Sequence, residues 1–171
     1  MNYVSVTAPD INNGLGCRVT LWVAGCCHNC PGCHNTWTHD YTIGNNLDEA
    51  WDEVAKWLSK EYIKGLTVSG GDPLAQSNVS LSQLENFLRR VKKEFPDKDI
   101  WIYTGYVYEN LDKSQRRVLE HCDILIDGPF VQEKMDLSLA FRGSSNQRII
   151  DLHEKRTNVS YWEKVKELFR K

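Results

Sequence analysis

The sequence has no long apolar run. Nothing in its 171 residues approaches the roughly 20 apolar residues that span a bilayer, so no membrane role is expected. It also has no basic start followed by an apolar stretch. Met1-Asn2-Tyr3-Val4-Ser5-Val6 does not read as a secretory signal, and the expectation is a cytoplasmic protein. An excess of positive charge is missing too. The 21 Lys and Arg are scattered among 23 Asp and Glu, for a net charge of −2. A nucleic-acid binder would carry a basic patch or stripe, so direct contact with nucleic acid is not expected. There is no low-complexity tract, no internal repeat, and no Ser/His/Asp or paired-glutamate constellation. The sequence therefore offers no catalytic side chain of the general acid–base kind.

What remains is a chain of single-domain length, residues 1–171, long enough for one sizeable hydrophobic core. Six cysteines would suggest disulfides in a secreted protein, but four of them, Cys26, Cys27, Cys30 and Cys33, crowd into one short stretch. Short loops constrain an unfolded chain least, so in a reducing compartment the cluster reads as metal ligation or catalysis.

Periodicity places the other elements. Val19, Leu21 and Val23 alternate, so residues 18–23 read as a strand. Asn46 is a helix N-cap with Glu49 at the capping-box position, and Leu47, Trp51, Val54, Ala55 and Leu58 follow at helical spacing. Leu66-Thr67-Val68 is a second strand. A helix starting near Ser80 carries Leu84, Phe87, Leu88 and Val91 and stops at Pro96. Ile100-Trp101-Ile102-Tyr103 is a third strand, residues 115–120 a helix, and residues 123–127 a fourth strand. Residues 147–151 read as a fifth strand, and a capped helix runs over about 160–170 (Ser160, Glu163, Trp162, Val165, Leu168, Phe169). Alternating strands and helices predict an α/β fold with a mainly parallel sheet. The length is short of the ~250 residues of a complete eight-unit barrel, so an open, partial β/α barrel is expected. Sites gather at the C-terminal ends of parallel strands. The cysteine loop, Ser69-Gly70-Gly71-Asp72, Thr104-Gly105 and Asp127-Gly128-Pro129 each follow a strand directly, so they share one rim.

Cys26-x-x-x-Cys30-x-x-Cys33 lies among Gly25, Asn29, Pro31 and Gly32, turn formers that let three thiolates converge. A four-iron cluster fully ligated by protein takes four cysteines. Three leave one iron open, much as catalytic zinc sites keep an open position. Cys27-x-x-Cys30-x-x-Cys33 is an equally possible set by spacing. So is structural Cys₃His zinc using His28, His34 or His39, although no second Cys-x-x-Cys element exists. Cys17 and Cys122 are isolated, Cys122 reading as a buried thiol.

The ordered motifs carry a resemblance. They are Gly14-Leu15-Gly16-Cys17-Arg18; the cysteine loop from Val23 to Cys33; Ser69-Gly70-Gly71-Asp72-Pro73-Leu74; Ile100-Trp101-Ile102-Tyr103-Thr104-Gly105-Tyr106; Asp127-Gly128-Pro129-Phe130; and Phe141-Arg142-Gly143-Ser144-Ser145-Asn146-Gln147-Arg148. Over residues 1–152 they resemble the radical S-adenosylmethionine superfamily and, within it, the activating proteins of anaerobic ribonucleoside-triphosphate reductase. The resemblance implies a single domain of radical S-adenosylmethionine type. It implies one [4Fe-4S] cluster per chain on Cys26, Cys30 and Cys33, with the methionine amine and carboxylate of S-adenosylmethionine on the open iron. One electron from an external donor would give methionine and a 5′-deoxyadenosyl radical, which takes hydrogen from a glycine of the partner reductase. Gly70 and Gly71 would face the methionine ammonium, Asp72 would sit beside them, and Gly32, Cys33 and His34 would lie near the adenosine. Two residues depart from the usual pattern: Gly32 stands where many members have an aromatic residue, and His34 where such activators often have Tyr. An activator of pyruvate formate-lyase is the neighbouring alternative. A non-enzymatic electron carrier would be expected to show a fourth cysteine.

Overall fold

In the computed structural model, which describes residues 1–157, the chain forms strand β1 (Asn2–Asp10) and strand β2 (Cys17–Val23). After the cysteine loop come the two-residue β3 (Asn45–Asn46) and helix α1 (Trp51–Leu58). Strand β4 (Ile63–Gly70), helix α2 (Asn78–Glu94), strand β5 (Asp99–Tyr103), helix α3 (Lys113–Leu119) and strand β6 (Ile124–Asp127) follow. Strand β7 (Arg148–Asp151) and α4 (Leu152–Thr157) complete the described chain. The expected helix over residues 160–170 lies outside the described residues.

The strands make one sheet in the order β3-β1-β2-β4-β5-β6-β7. The four central strands β2, β4, β5 and β6 run parallel, while β1, β3 and β7 are antiparallel to their neighbours. The sheet does not close, so the architecture is mixed α/β with an open sheet. The expectation of a mainly parallel, open sheet is met, with antiparallel strands added at its edges. A parallel pair needs a long crossover, usually a helix. Such helices stand only between β2 and β4, β4 and β5, and β5 and β6. β1 and β2 are joined by a short turn and pair as a hairpin, a strand that the sequence reading did not identify.

Successive strand residues face opposite sides, which gives the sheet two different surfaces. Val19, Leu21 and Val23 of β2, Leu66 and Val68 of β4, Ile100 and Ile102 of β5 and Leu125 of β6 join one buried cluster. The apolar stripes of α1 (Val54, Leu58), α2 (Leu81, Leu84, Phe87, Leu88, Val91) and α3 (Val118, Leu119) pack into the same cluster. The opposite face carries Trp101, Ile124 and Ile126 with Tyr103 and Phe141 against them, and it carries polar side chains. Fully buried Arg18 donates to Thr67 Oγ1 at 2.7 Å and Leu66 O at 2.8 Å, and pairs with Asp99 Oδ1 at 2.6 Å. Its guanidinium lies 5.1 Å from the Trp101 ring centre. These groups fill the end of the inner face where β4 and β5 begin. The clefts described below lie where those strands end.

Local signals decide the helix starts. Asn46 accepts from Asp48 N–H and a 3-10 turn over Leu47–Ala50 intervenes, so α1 begins only at Trp51. Ser77 caps α2 through Ser80 N–H, and Asp112 with Gln115 forms a capping box for α3. Among the described residues no helix is long and apolar enough to cross a membrane.

Candidate active site

The segment after β2 folds back on itself. Gly25 N–H donates to Thr38 O at 2.8 Å and Cys26 N–H to His39 O at 3.0 Å. Inside this return, Asn29 (φ 47) and Gly32 (φ 70) take left-handed conformations, and Cys33 N–H closes a turn on Cys30 O at 3.1 Å. The result brings Cys26, Cys30 and Cys33 to one cleft with an empty volume of about 540 Å³, also lined by Gly70, Gly71, Asp72, Thr104 and Phe130. Cys27 is exposed, does not line the cleft, and has its Sγ 3.9 Å from Tyr106 Oη. All six cysteines are free thiols. Burial pushes the Cys26 thiol up to about 11, against a backbone N–H from His28 that favours the thiolate. Burial likewise raises Cys30, which receives a backbone N–H from Phe130. Binding a metal group to such thiols displaces their protons.

The Gly-Gly segment has a reason that the sequence reading did not foresee. Gly71 N–H donates to Val23 O and Asp72 N–H to Gly25 O, both at 2.8 Å. These bonds draw the end of β4 against the root of the cysteine loop. A Cβ at Gly71 would stand 2.4 Å from Gly25 O, and one at Gly70, where φ is +106, would stand 2.7 Å from Val23 O. The bare backbone thus serves the approach of two protein segments as well as the cleft wall. Gly71→Ala is expected to destabilise the protein by about 1–3 kcal/mol, because backbone rather than a flexible side chain must move. Urea unfolding of the metal-free protein reads that loss, and iron content after reconstitution should fall with it.

Asp72 is the hub of the site and is 2% exposed. Oδ1 accepts from Leu74 N–H at 2.8 Å and Ala75 N–H at 3.2 Å. Oδ2 accepts from Gly105 N–H at 2.8 Å and lies 2.6 Å from His28 Nε2, while Thr104 Oγ1 is 3.0 Å from both oxygens. The hydrogen bond to Asp72 raises the His28 pKa against the opposing effect of burial. Tyr106 meets the His28 ring edge-on at 4.6 Å. Gln76 adds a second tie, its amide donating to Ala24 O at 3.0 Å and Gly25 O at 3.2 Å.

Of the residues expected around a cofactor, Cys33, Gly70, Gly71 and Asp72 line the cysteine cleft. His34 is exposed and lines an adjoining second cleft. Gly32 lines neither cleft: a Cβ there would meet the Gln132 side chain at 2.9 Å. The third wall comes from the segment between β6 and β7. Buried Asp127 pairs with Arg148 and accepts from Tyr108 N–H at 2.7 Å. The Gln147 amide donates to Gly128 O at 3.1 Å and accepts from Gly143 N–H at 2.9 Å. Phe130 and Gln147, both on the cleft, stand in the motifs that carry the resemblance but were given no role from sequence, because what they do depends on contacts with loops distant from the cysteines. Asp127-Gly128-Pro129 following a strand was the available signal.

A family model described as a 4Fe-4S single cluster domain matches residues 12–150. A protein of Haemophilus influenzae is 47% identical over 152 residues, covering 87% of this chain and 97% of the relative. One from Escherichia coli K12 is 43% identical over 150 residues, covering 86% and 96%. One from Enterobacteria phage T4 is 41% identical over 150 residues, covering 87% and 93%. Each is named anaerobic ribonucleoside-triphosphate reductase-activating protein. At that identity over nearly the whole of both partners in each pair, the chain belongs to the family of anaerobic ribonucleoside-triphosphate reductase-activating proteins.

Proposed function

We propose that this chain is an oxidoreductase that activates an anaerobic ribonucleoside-triphosphate reductase by placing a glycyl radical on it, with a [4Fe-4S] cluster and S-adenosylmethionine as its cofactors. The observation that carries the reading is the convergence of three free thiols, without a fourth, on one cleft at the ends of parallel strands. The donor set fits the cluster. Cys26, Cys30 and Cys33 line one cleft, and cysteine thiolates are the ligands such a cluster takes. Thiols set around a cleft suit a group larger than one ion.

When bound, the cluster supplies the electron for reductive cleavage of S-adenosylmethionine, whose product takes a hydrogen atom from a glycine of the reductase. Cys26, Cys30 and Cys33 would hold the cluster, and the backbone N–H groups of His28 and Phe130 would bond to the ligand sulfurs. Such hydrogen bonds are among the levers that set a cluster's potential. Gly70 and Gly71 keep side chains away from the methionine end. Asp72 fixes the wall beside them through His28, Thr104 and Gly105. Cys33, on the wall that the two clefts share, and His34, beyond it, would lie near the adenosine. The chemistry asks no general base of the protein; the residues bind, orient and exclude side reactions. The open sheet with its polar inner face is read as the partial β/α barrel of the radical S-adenosylmethionine type. The names of the relatives favour the reductase over pyruvate formate-lyase as target.

The test is anaerobic reconstitution with iron and sulfide, followed by electron paramagnetic resonance with and without S-adenosylmethionine. A reduced-cluster signal that changes on adding S-adenosylmethionine, and a glycyl radical signal once the reductase is present, are the expected results. Tightly bound zinc, or a cluster indifferent to S-adenosylmethionine, would overturn the reading.

A further inference from the structure

Arg148 opens β7 inside a motif to which the proposed chemistry gives no part. Strand residues alternate between faces, and here the alternation separates two roles. Ile149 packs on the inner face with Ile126, and Ile150 on the helix-covered face. Arg148 therefore stands on the helix-covered face beside its register partner Asp127, while Gln147 just before it lines the cysteine cleft. The guanidinium spans two carboxylates. Nε donates to Asp127 Oδ1 at 2.9 Å, and Nη2 pairs with Asp127 Oδ2. Nη2 also donates to Glu109 Oε2 at 2.7 Å, and Nη1 to Glu109 Oε1 at 3.3 Å. Asp127 is fully buried at the end of β6, and Glu109 lies in the loop after β5. Asp127 also accepts from Tyr108 N–H at 2.7 Å, and Gly128 N–H donates to Tyr106 O at 2.8 Å. The loop after β5 and the segment after β6 are thus joined at this point. Each carries lining of the cysteine cleft: Thr104 and Gly105 on the first, Gly128 and Gln147 on the second. The first also sets Tyr106 edge-on against His28.

We propose that Arg148 is a positioning residue: from outside the cleft its fork clamps Glu109 to Asp127 and so holds two adjoining walls at the spacing that S-adenosylmethionine requires. The inference rests on the function proposed above and adds a residue that lines neither cleft. A planar guanidinium can engage two carboxylates in fixed directions, whereas a lysine ammonium is a point charge on a flexible stem. Removing Arg148 alone would strand the buried Asp127 carboxylate, which is strongly destabilising. The double variant Asp127→Asn/Arg148→Met removes both charges together and leaves an amide oxygen for Tyr108 N–H, so it opens the clamp without stranding a charge.

Arg148→Lys and Asp127→Asn/Arg148→Met are compared with the parent in two measurements. In the metal-free proteins, hydrogen exchange read by mass spectrometry follows residues 104–110 against β4. In the reconstituted proteins, titrating the reduced-cluster paramagnetic signal with S-adenosylmethionine gives its Kd. The double variant should exchange faster over residues 104–110 and at the parent's rate in β4, because only a local opening is made easier. Its iron content should match the parent's, and its Kd should be weaker by about ten-fold, the lower end of what disturbing a supporting residue costs. Arg148→Lys should fall between, pairing with Asp127 but not reaching Glu109 as a fork. Faster exchange throughout the chain with the parent's Kd would show that Arg148 merely supports the fold. A loosened loop with the parent's Kd would show that these walls do not set the cofactor's seat. Either result overturns the inference. If the parent's own signal ignores S-adenosylmethionine, the proposed function fails and the inference fails with it.

Discussion

Cys26→Ala, Cys30→Ala and Cys33→Ala each lose the reconstituted cluster and the glycyl radical activity, whereas Cys27→Ala keeps both; this is the outcome the cleft predicts. Disturbing residues merely behind a metal ligand costs about 10–100-fold in affinity or activity, so removing a ligand is expected to exceed about 100-fold. The Cys27 thiol is exposed, off the cleft, and in contact with Tyr106 Oη. Its replacement is an ordinary surface change, within about ±0.5 kcal/mol of the parent. Iron and sulfide analysis after reconstitution, with the radical signal on the reductase, measures both halves. The experiment also settles a choice that spacing leaves open, because Cys27, Cys30 and Cys33 are as close together in sequence as Cys26, Cys30 and Cys33. Iron retained by Cys26→Ala and lost by Cys27→Ala would transfer the ligand role to Cys27.

Spacing was silent on that point because a loop rich in turn formers can aim adjacent residues either way; in the folded loop Cys26 lines the cleft and Cys27 does not. The central strands were legible, since β2, β4, β5 and β6 are short apolar runs that end in glycine or turn residues, and their order put every unusual segment on one rim. β1 was not. Tyr3, Ser5 and Thr7 pair with β2, but the strand is only half-buried and offers no continuous apolar run. The antiparallel edge at β7 was hidden as well, because residues 147–151 read as a strand without showing a direction. At the site, motif reading located the glycines and Asp72 but not the reason for them. Gly70 and Gly71 meet another stretch of backbone, and Asp72 answers to two segments distant in sequence, the cysteine loop and the end of β5, besides its own turn. Contacts between backbones leave no pattern of side chains to find.

Asp72→Ala is expected to be the most damaging change outside the cysteines, and the way it fails separates two roles. The carboxylate is nearly fully buried and joins the cysteine loop through His28, the end of β5 through Thr104 and Gly105, and the turn before α2 through Leu74 and Ala75. Removing it leaves several donors unpaired in the interior. At about 1–3 kcal/mol for each buried group so stranded, a loss of about 3 kcal/mol or more is expected, seen as a lower urea midpoint in the metal-free protein. The cysteine loop loses its His28 anchor at the same time, so the reconstituted variant should release iron to a chelator faster than the parent. Asp72→Asn keeps the shape and one acceptor but turns an N–H₂ toward Gly105 N–H and His28, and should fall between the two. A carboxylate that acted by touching S-adenosylmethionine would give another result: stability and iron retention would stay at the parent's level, and only the response of the cluster signal to S-adenosylmethionine would weaken. With its oxygens already engaged by five groups of the protein, Asp72 is expected to show the first pattern, holding the loop that holds the cluster.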